Sequence, residues 1–225
     1  MNIKKDIFDD YVYSYELITQ KNLFFFNKKR KYFDQYKIDI IKKKISTPDK
    51  ILDFGSGIGL ATSLFIRNFK KSKIFAFDTS KKSLEFLKKK NPKININKIN
   101  VFKNKYDLIT VFGVFHHIPV KKRIKNLKLL FSLLKSSGKI FIFEHNPYNP
   151  ITRNIVNNCP YDIGVKLITM KNFIKISRQN NFKIIDKGYC LFFPEFLKFF
   201  RKYEYFLKWL PLGGQYYIEL SKKDF

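Results

Sequence analysis

Cysteine is nearly missing from this chain of 225 residues, which holds only Cys159 and Cys190. There is no C-x-x-C pair, and neither cysteine has a histidine nearby at ligand spacing. The sequence therefore offers neither a disulfide framework nor a cysteine-based zinc site. The expectation is a reducing, cytoplasmic setting and no metal. Long apolar runs are missing too. No uncharged stretch reaches the ~18 residues of a membrane helix, and Met1 to Asp6 lead into acids and tyrosines rather than the apolar centre of a signal peptide. Internal repeats and Gly/Ser-rich linkers are likewise lacking, and the length suits one domain that buries a core without staples.

Acids are scarce, with 18 Asp and Glu against 45 Lys and Arg, a formal charge of +27. Such an excess ordinarily suggests nucleic acid or an anionic membrane. Here only six of the basic residues are arginine, and the lysines are spread along the whole chain. Lys, Asn, Ile, Phe and Tyr are all abundant and all have AT-rich codons, so a biased genome accounts for much of the charge. No stretch combines arginines with stacking aromatics as RNA-binding modules do. Nucleic acid is not the expected partner.

What is present begins with Ile51-Leu52-Asp53-Phe54-Gly55-Ser56-Gly57-Ile58-Gly59, followed by Ile74-Phe75-Ala76-Phe77-Asp78. A buried strand, a glycine turn, a helix and a second strand ending in an acid form the layout with which an α/β sheet holds an adenosine-bearing cofactor. Dinucleotide folds favour G-x-G-x-x-G, with pyrophosphate on a helix N-terminus. This chain instead reads G-x-G-x-G with an acid two residues ahead. In that register the segment resembles motif I of the class I S-adenosylmethionine-dependent methyltransferases. The resemblance implies S-adenosylmethionine as cofactor. Asp53, Gly55, Ser56, Gly57 and Gly59 would hold its methionyl end, Asp78 and Thr79 the ribose, and Phe112 and Gly113 the face near adenine or sulfur.

From residue 50 the pattern alternates: strand 50–54, helix 59–70, strand 73–78, helix 80–90, a weak strand 94–101, strand 107–112, helix 120–135 and strand 139–144. Alternation of this kind means a parallel sheet with helices on both faces. Ser80 is placed as an N-cap, and Ser137-Gly138 is expected to end the helix before the fifth strand. A helix at 170–180, a strand at 182–189 and a last strand at 215–220 complete the resemblance, which implies a Rossmann-like, seven-stranded sheet with its final strand antiparallel. The expected organisation is one domain over 1–225: a helical cap or lid at 1–48, a cofactor-binding half at 49–145, and an acceptor-side half at 146–225 with an aromatic insert at 192–210. The family's acid or polar group after the third strand, which reads adenine, has no acidic counterpart in residues 93–100. Asn95, Asn97 or Asn100 is the available amide, or a solvated loop residue.

Chemistry is expected beyond the carboxyl ends of the strands. After the fourth strand, Phe112-Gly113-Val114-Phe115-His116-His117-Ile118-Pro119 carries two of the three histidines. The stretch looks like the post-β4 segment of small-molecule and lipid-quinone methyltransferases. An imidazole there is a candidate general base, or a loop cap. After the fifth strand, Glu144, His145 and Arg153 stand in a loop dense in Asn and Pro, read as an acceptor-pocket wall; the alternative for Glu144 and Arg153 is a mutual salt bridge. Asn146-Pro147-Tyr148 invites comparison with the box of adenine-N6 methyltransferases, but that box follows the fourth strand. The order of these motifs resembles a bacterial branch of unassigned acceptor, some of it associated with cell-surface polysaccharide or secondary metabolism.

Phe8 to Tyr15 resembles the family's F-D-x-x-A-x-x-Y-D opening, which implies a lid with Tyr15 over the cofactor. Tyr32, Phe33, Tyr36 and Lys37 either line the cofactor mouth or pack the cap. Residues 192–210 read as an amphipathic helix with 196, 199, 200, 203, 207 and 210 on one face and lysines opposite. Such a helix packs on the domain or a second subunit, or lies on an anionic membrane. The reading is methyl transfer to a small-molecule, saccharide or lipid-linked acceptor by a monomer or homodimer, cytoplasmic or peripheral at the inner membrane face. RNA methylation, an NAD-dependent oxidoreductase and a non-catalytic cofactor-binding scaffold are the alternatives.

Overall fold

A computed structural model describes residues 7–14, 17–18, 31–96 and 104–223. Strands β1 (Lys50–Phe54), β2 (Lys73–Phe77), β3 (Asn95–Ile96), β4 (Tyr106–Phe112), β5 (Leu134–His145), β6 (Phe182–Cys190) and β7 (Gln215–Lys222) form one sheet. Their order is β3-β2-β1-β4-β5-β7-β6. β7 runs antiparallel to both neighbours and the other pairs are parallel. The helices are α1 (Ile7–Tyr11), α2 (Lys31–Lys42), α3 (Leu60–Asn68), α4 (Lys81–Lys90), α5 (Val120–Leu133), α6 (Pro150–Asn157) and α7 (Met170–Gln179).

The apolar runs of β1, β4 and β5 are continuous because both faces are covered. Successive side chains point to opposite faces. Leu52, Ile109, Val111, Ile140 and Ile142 pack with Leu127, Leu130 and Phe173 of α5 and α7. Ile51, Leu108, Phe141 and Phe143 pack with Ile38, Ile41, Leu64, Phe65 and Leu87 of α2, α3 and α4. The apolar run stops at the carboxyl ends, where Asp53 lies beside Thr110 in register and β5 closes on Glu144 and His145.

Ser80 caps α4 as expected, its hydroxyl accepting the Ser83 N–H at 3.0 Å. Two expectations change. Ser137-Gly138 does not end a helix: α5 stops at Leu133, and both residues lie inside β5. A Cβ on Gly138 would meet the Tyr106 carbonyl oxygen at 2.9 Å, so this glycine serves a close approach of strands. Described β3 is only two residues long; Asn97 and Asn100 lie outside the described residues, and Asn95 turns its amide to the Ile74 carbonyl.

The aromatic insert is also different: Glu195–Leu207 is a 3₁₀ helix with a break at Leu197, not an α-helix. Within it Glu204, 3% exposed, accepts the Tyr36 hydroxyl and the N–H groups of Leu191, Phe192 and Phe193. That anchor holds the segment to the end of β6 by polar contacts, while its aromatic side chains stay outside the core. Phe196, Phe199, Phe206 and Trp209 are 70%, 68%, 69% and 73% exposed.

Candidate functional site

The glycine loop crosses the carboxyl end of β1. Gly55 and Ser56 both donate to the Phe77 carbonyl, at 2.8 and 3.0 Å, which ties the loop to the end of β2. Asp78 adds a second tie: one carboxylate oxygen accepts the Gly57 N–H at 2.7 Å and the other the Ser80 N–H at 2.9 Å. Thr79 beside it is exposed.

The loop tests directly for a ligand cradle. At Gly59, φ is +84° and a Cβ would stand 2.2 Å from Leu87 Cδ1, so this glycine lets α3 pack on α4. At Gly57, φ is +51° and a Cβ would meet nothing within 4 Å. The bare backbone there faces open space rather than packing. Ser56 next to it has a buried hydroxyl with no hydrogen-bond partner. An open backbone edge and an unsatisfied hydroxyl are what an extended polar ligand would complete.

Asp53 stands behind this loop rather than in it. It is 2% exposed, accepts the Thr62 hydroxyl at 2.6 Å and faces Thr110 at 3.4 Å. Burial pushes its pKa up to about 7, with Asp34 and Asp78 adding to the shift against the two hydroxyls. Phe112 meets Phe143 edge-on at 5.1 Å, and the Lys37 ammonium lies 4.9 Å from its ring centroid. Lys37 pairs with Asp34 at 3.4 Å, both side chains about 5% exposed or less. Gly113 has φ +66° and donates to the Phe143 carbonyl.

Above the loop lies α1. Asp9 accepts the Ser80 hydroxyl, Tyr13 meets Phe86 of α4, and Tyr11 meets Tyr161 of the loop after α6. α1 and the turn after it thus bridge the loop after β2, α4 and the loop after α6. Tyr15 lies outside the described residues. Tyr36 belongs to the Glu204 anchor and Phe33 to the core.

The histidines converge. His116 Nδ1 and Glu144 Oε2 are 2.7 Å apart, and Glu144 Oε1 also accepts the N–H groups of Val114 and Phe115 at 2.9 and 2.7 Å. On its other edge, His116 Nε2 is 3.7 Å from Asp162 Oδ1, while His117 Nε2 is 3.3 Å from the same oxygen. The His145 ring lies 4.9 Å from that of His116. Burial pulls the His116 pKa down, but Glu144 and Asp162 outweigh it and lift it to about 9. Burial and the adjacent His116 charge push His117 to about 3 and His145 to about 4. Glu144 and Asp162 are held low, the nearby histidines outweighing burial. With no other cation in place, the cluster is one imidazolium between two carboxylates, flanked by two neutral imidazoles.

Glu144 therefore pairs with His116 and the post-β4 backbone. Arg153 is exposed on α6. Much of the polar density after β5 is structural. The Asn146 amide donates to the Pro211 and Gly213 carbonyls, Asn149 to Leu212, and the Thr152 hydroxyl to Gly214. These bonds hold the turn into β7. Asp162 closes the Cys-Pro-Tyr-Asp stretch of that loop and was not singled out as a site residue, and Asp34 and Glu204 carried no motif at all. Their roles arise from contacts between segments far apart in sequence.

Residues 26–187 match a family described as a methyltransferase domain. A comparison with curated proteins finds no match. Among solved structures, a SAM-dependent methyltransferase from Archaeoglobus fulgidus superposes with a TM-score of 0.72 at 16% identity, over 93% of this chain and 100% of that one. A Thermotoga maritima SAM-dependent methyltransferase, described as a possible histamine N-methyltransferase, gives 0.69 at 14% identity over 96% and 99%. A methyltransferase in complex with the Trm112 activator of Haloferax volcanii gives 0.67 at 11% identity over 98% and 98%. These likenesses establish the fold.

Proposed function

This chain belongs to the methyltransferase domain family, and from that premise we propose that it transfers the methyl group of S-adenosylmethionine to a small-molecule, saccharide or lipid-linked acceptor. The observation that carries the reading is the glycine loop: Gly57 presents bare backbone to open space while Asp78 holds its N–H. An NAD-dependent oxidoreductase would bring pyrophosphate to that loop, where buried Asp53 and the missing G-x-x-G step argue against it. A ligand end bearing an ammonium and a sulfonium suits that acid.

When bound, the cofactor supplies an electrophilic methyl group. The chain's residues do the rest. Gly55, Ser56 and Gly57 hold the methionyl end, and Asp78 accepts from the ribose hydroxyls. Asp53 adds a negative potential from behind the loop, and Phe112 with Gly113 forms the wall at the end of β4. The lid of α1, at residues 7–11, excludes water, and the histidine-lined side receives the acceptor. Rate enhancement then comes chiefly from alignment and dryness. In this reading residues 1–48 form the cap, 49–145 the cofactor half and 146–225 the acceptor half. On the histidine side the groups are buried imidazoles and carboxylates, which suit a small acceptor group better than a nucleic-acid backbone; RNA is the alternative acceptor.

Calorimetric titration with S-adenosylhomocysteine, with NAD as the parallel ligand, tests the cofactor. Binding of the first alone is expected; binding of NAD alone, or of neither, defeats the reading.

The insert favours a lipid-linked acceptor. Phe196, Phe199, Phe206 and Trp209 are all more than two-thirds exposed and alternate with Lys198, Arg201, Lys202 and Lys208. Aromatic side chains among cations suit an anionic bilayer surface. No helix among the described residues is long and apolar enough to cross a membrane, so the contact is peripheral, at the inner face. Flotation with vesicles containing anionic lipid is expected to carry the wild type but not a Phe206→Ser/Trp209→Ser variant; equal flotation of both removes this assignment.

A further inference from the structure

We propose that His116, His117 and Asp162 form a binding site for one divalent transition-metal ion, with zinc as the ion best matched to two imidazoles and one carboxylate. The three donor atoms lie within 4.8 Å of one another. Their spacing is more telling than their proximity. His117 Nε2 and His116 Nε2 stand 3.3 and 3.7 Å from Asp162 Oδ1, beyond the ~2.7–3.2 Å of an ordinary N–H···O bond. Two donors each about 2.1 Å from a shared tetrahedral ion are about 3.4 Å apart. The gap suits an ion between the side chains better than a proton.

Two further observations point the same way. Asp162 Oδ1 is buried and accepts no hydrogen bond of ordinary geometry, although both rings lie within ion-pair reach of it. An ion between the three side chains would complete that oxygen. His116 is also oriented as metal-binding histidines are: its Nδ1 edge is bound to Glu144 Oε2 at 2.7 Å, which places Nε2 toward Asp162. A carboxylate behind a ligating histidine fixes its tautomer and raises its basicity. Glu144 is itself held by two backbone N–H groups. The ion replaces the Nε2 proton of His116, which leaves to solvent. Entry is from the His117 side, whose side chain is 20% exposed while those of His116 and Asp162 are 2% and 7%.

Three protein ligands leave a position open, the arrangement of catalytic rather than structural zinc sites. Resting on the methyl-transfer reading, that position takes an oxygen of the acceptor. Coordination would favour loss of the acceptor hydroxyl's proton and turn it into the stronger nucleophile. The ligand class is thus a hydroxylated or enolic acceptor. This also changes the part assigned to His116 and His117, which then act through the ion.

The test uses the full chain without an affinity tag, stripped with chelator and titrated with Zn²⁺ by calorimetry and with Co²⁺ by visible absorption, in the absence of cofactor and acceptor. One equivalent is expected to bind, with the intense d–d bands of a low-symmetry cobalt site. Asp162→Asn and His117→Gln should each weaken Zn²⁺ binding more than about 100-fold, and Glu144→Gln about 10–100-fold through its hold on His116. Asp186→Asn, on the far side of the sheet, should bind as wild type. No saturable site in the wild type overturns the proposal, as does binding that survives both ligand substitutions. If a ligand variant fails to fold, the wild-type titration and the Glu144→Gln comparison decide alone. Failure of S-adenosylhomocysteine to bind would remove the methyl-transfer reading and leave the metal result standing.

Discussion

Replacing Gly57 by alanine separates the two tasks of the glycine loop, folding and ligand approach. Gly57 has φ +51° and open space where a Cβ would go, whereas a Cβ on Gly59, at φ +84°, would stand 2.2 Å from the fully buried Leu87. Alanine in the left-handed region costs roughly 1–2 kcal/mol, and the stiffer unfolded chain returns about 0.4–1 kcal/mol of that. Gly57→Ala should therefore lower stability by no more than about 1.5 kcal/mol, a fall of at most ~6 °C in melting temperature for a chain of this size. Gly59→Ala adds overpacking of Leu87 and should cost roughly 2–5 kcal/mol. Ligand binding should rank the other way. A methyl group placed where the cofactor meets bare backbone should weaken S-adenosylhomocysteine at least about tenfold. Melting curves with and without ligand, plus calorimetry, read both quantities. A stable Gly57→Ala protein that binds like wild type would refute the cradle; one that unfolds like Gly59→Ala would refute the packing argument.

Asp78→Asn keeps the shape of the side chain but removes the charge that holds Gly57 and that, in the proposed reading, receives the ribose. Charge-assisted hydrogen bonds of about 1.5–3 kcal/mol make the expected loss of S-adenosylhomocysteine affinity roughly 10–100-fold, and unchanged affinity would exclude that role. Glu204→Ala strands the buried N–H groups of Leu191, Phe192 and Phe193 and the Tyr36 hydroxyl. Roughly 2–4 kcal/mol should be lost, with residues 192–207 gaining amide-exchange rate before the sheet does; uniform exchange would argue against a local anchor. Asp53 keeps its proton in the fold up to about pH 7, against an ordinary value of 3.8. The folded state thus holds more protons than the unfolded chain in that window. Stability from this group is present below pH 3.8 and is lost as pH rises through about 7. Asp53→Asn should flatten the fall in melting temperature between those values. A ligand carrying an ammonium group should expel the Asp53 proton near pH 7, so the binding enthalpy should vary with the buffer's ionisation enthalpy in the wild type and not in Asp53→Asn.

The sheet was legible in the sequence because its signals are local. Strands buried on both faces are short unbroken apolar runs, and Gly55, Gly57 and Gly59 mark a loop that no other residue type builds as easily. Ser80 announces its helix through its own side chain. The failures share one physical origin, since each depends on a partner distant in sequence. Gly138 looked like a helix end until the Tyr106 carbonyl was seen against it. The periodicity of 192–210 fitted an α-helix, but the segment is 3₁₀ and is tied down by Glu204, which draws three backbone N–H groups and Tyr36 onto one carboxylate. The candidate site divides in the same way. His116 and His117 stood out as two of three histidines beyond β4, while Asp162 is an ordinary loop acid until the chain returns it to within 3.3 Å of His117.

The fold explains why these charges gather at one end. Along β1, β4 and β5 apolar residues fill both helix layers, and the fully buried polar side chains, Asp53, Thr110 and Glu144, stand toward the carboxyl ends. There α3 and the loop after β4 supply donors to carboxylates that water does not reach: the Thr62 hydroxyl for Asp53 and the Val114 and Phe115 amides for Glu144. Burial raises the energy of a carboxylate, and fixed donors lower it. Asp53, with one strong donor, keeps its proton to about pH 7. Glu144, with two backbone donors and an imidazolium, stays ionised. Two acids near the carboxyl ends of β1 and β5, on either side of β4, thus differ in protonation. Asp53 is poised to respond to a cationic cofactor, while Glu144 holds its histidine in one orientation throughout.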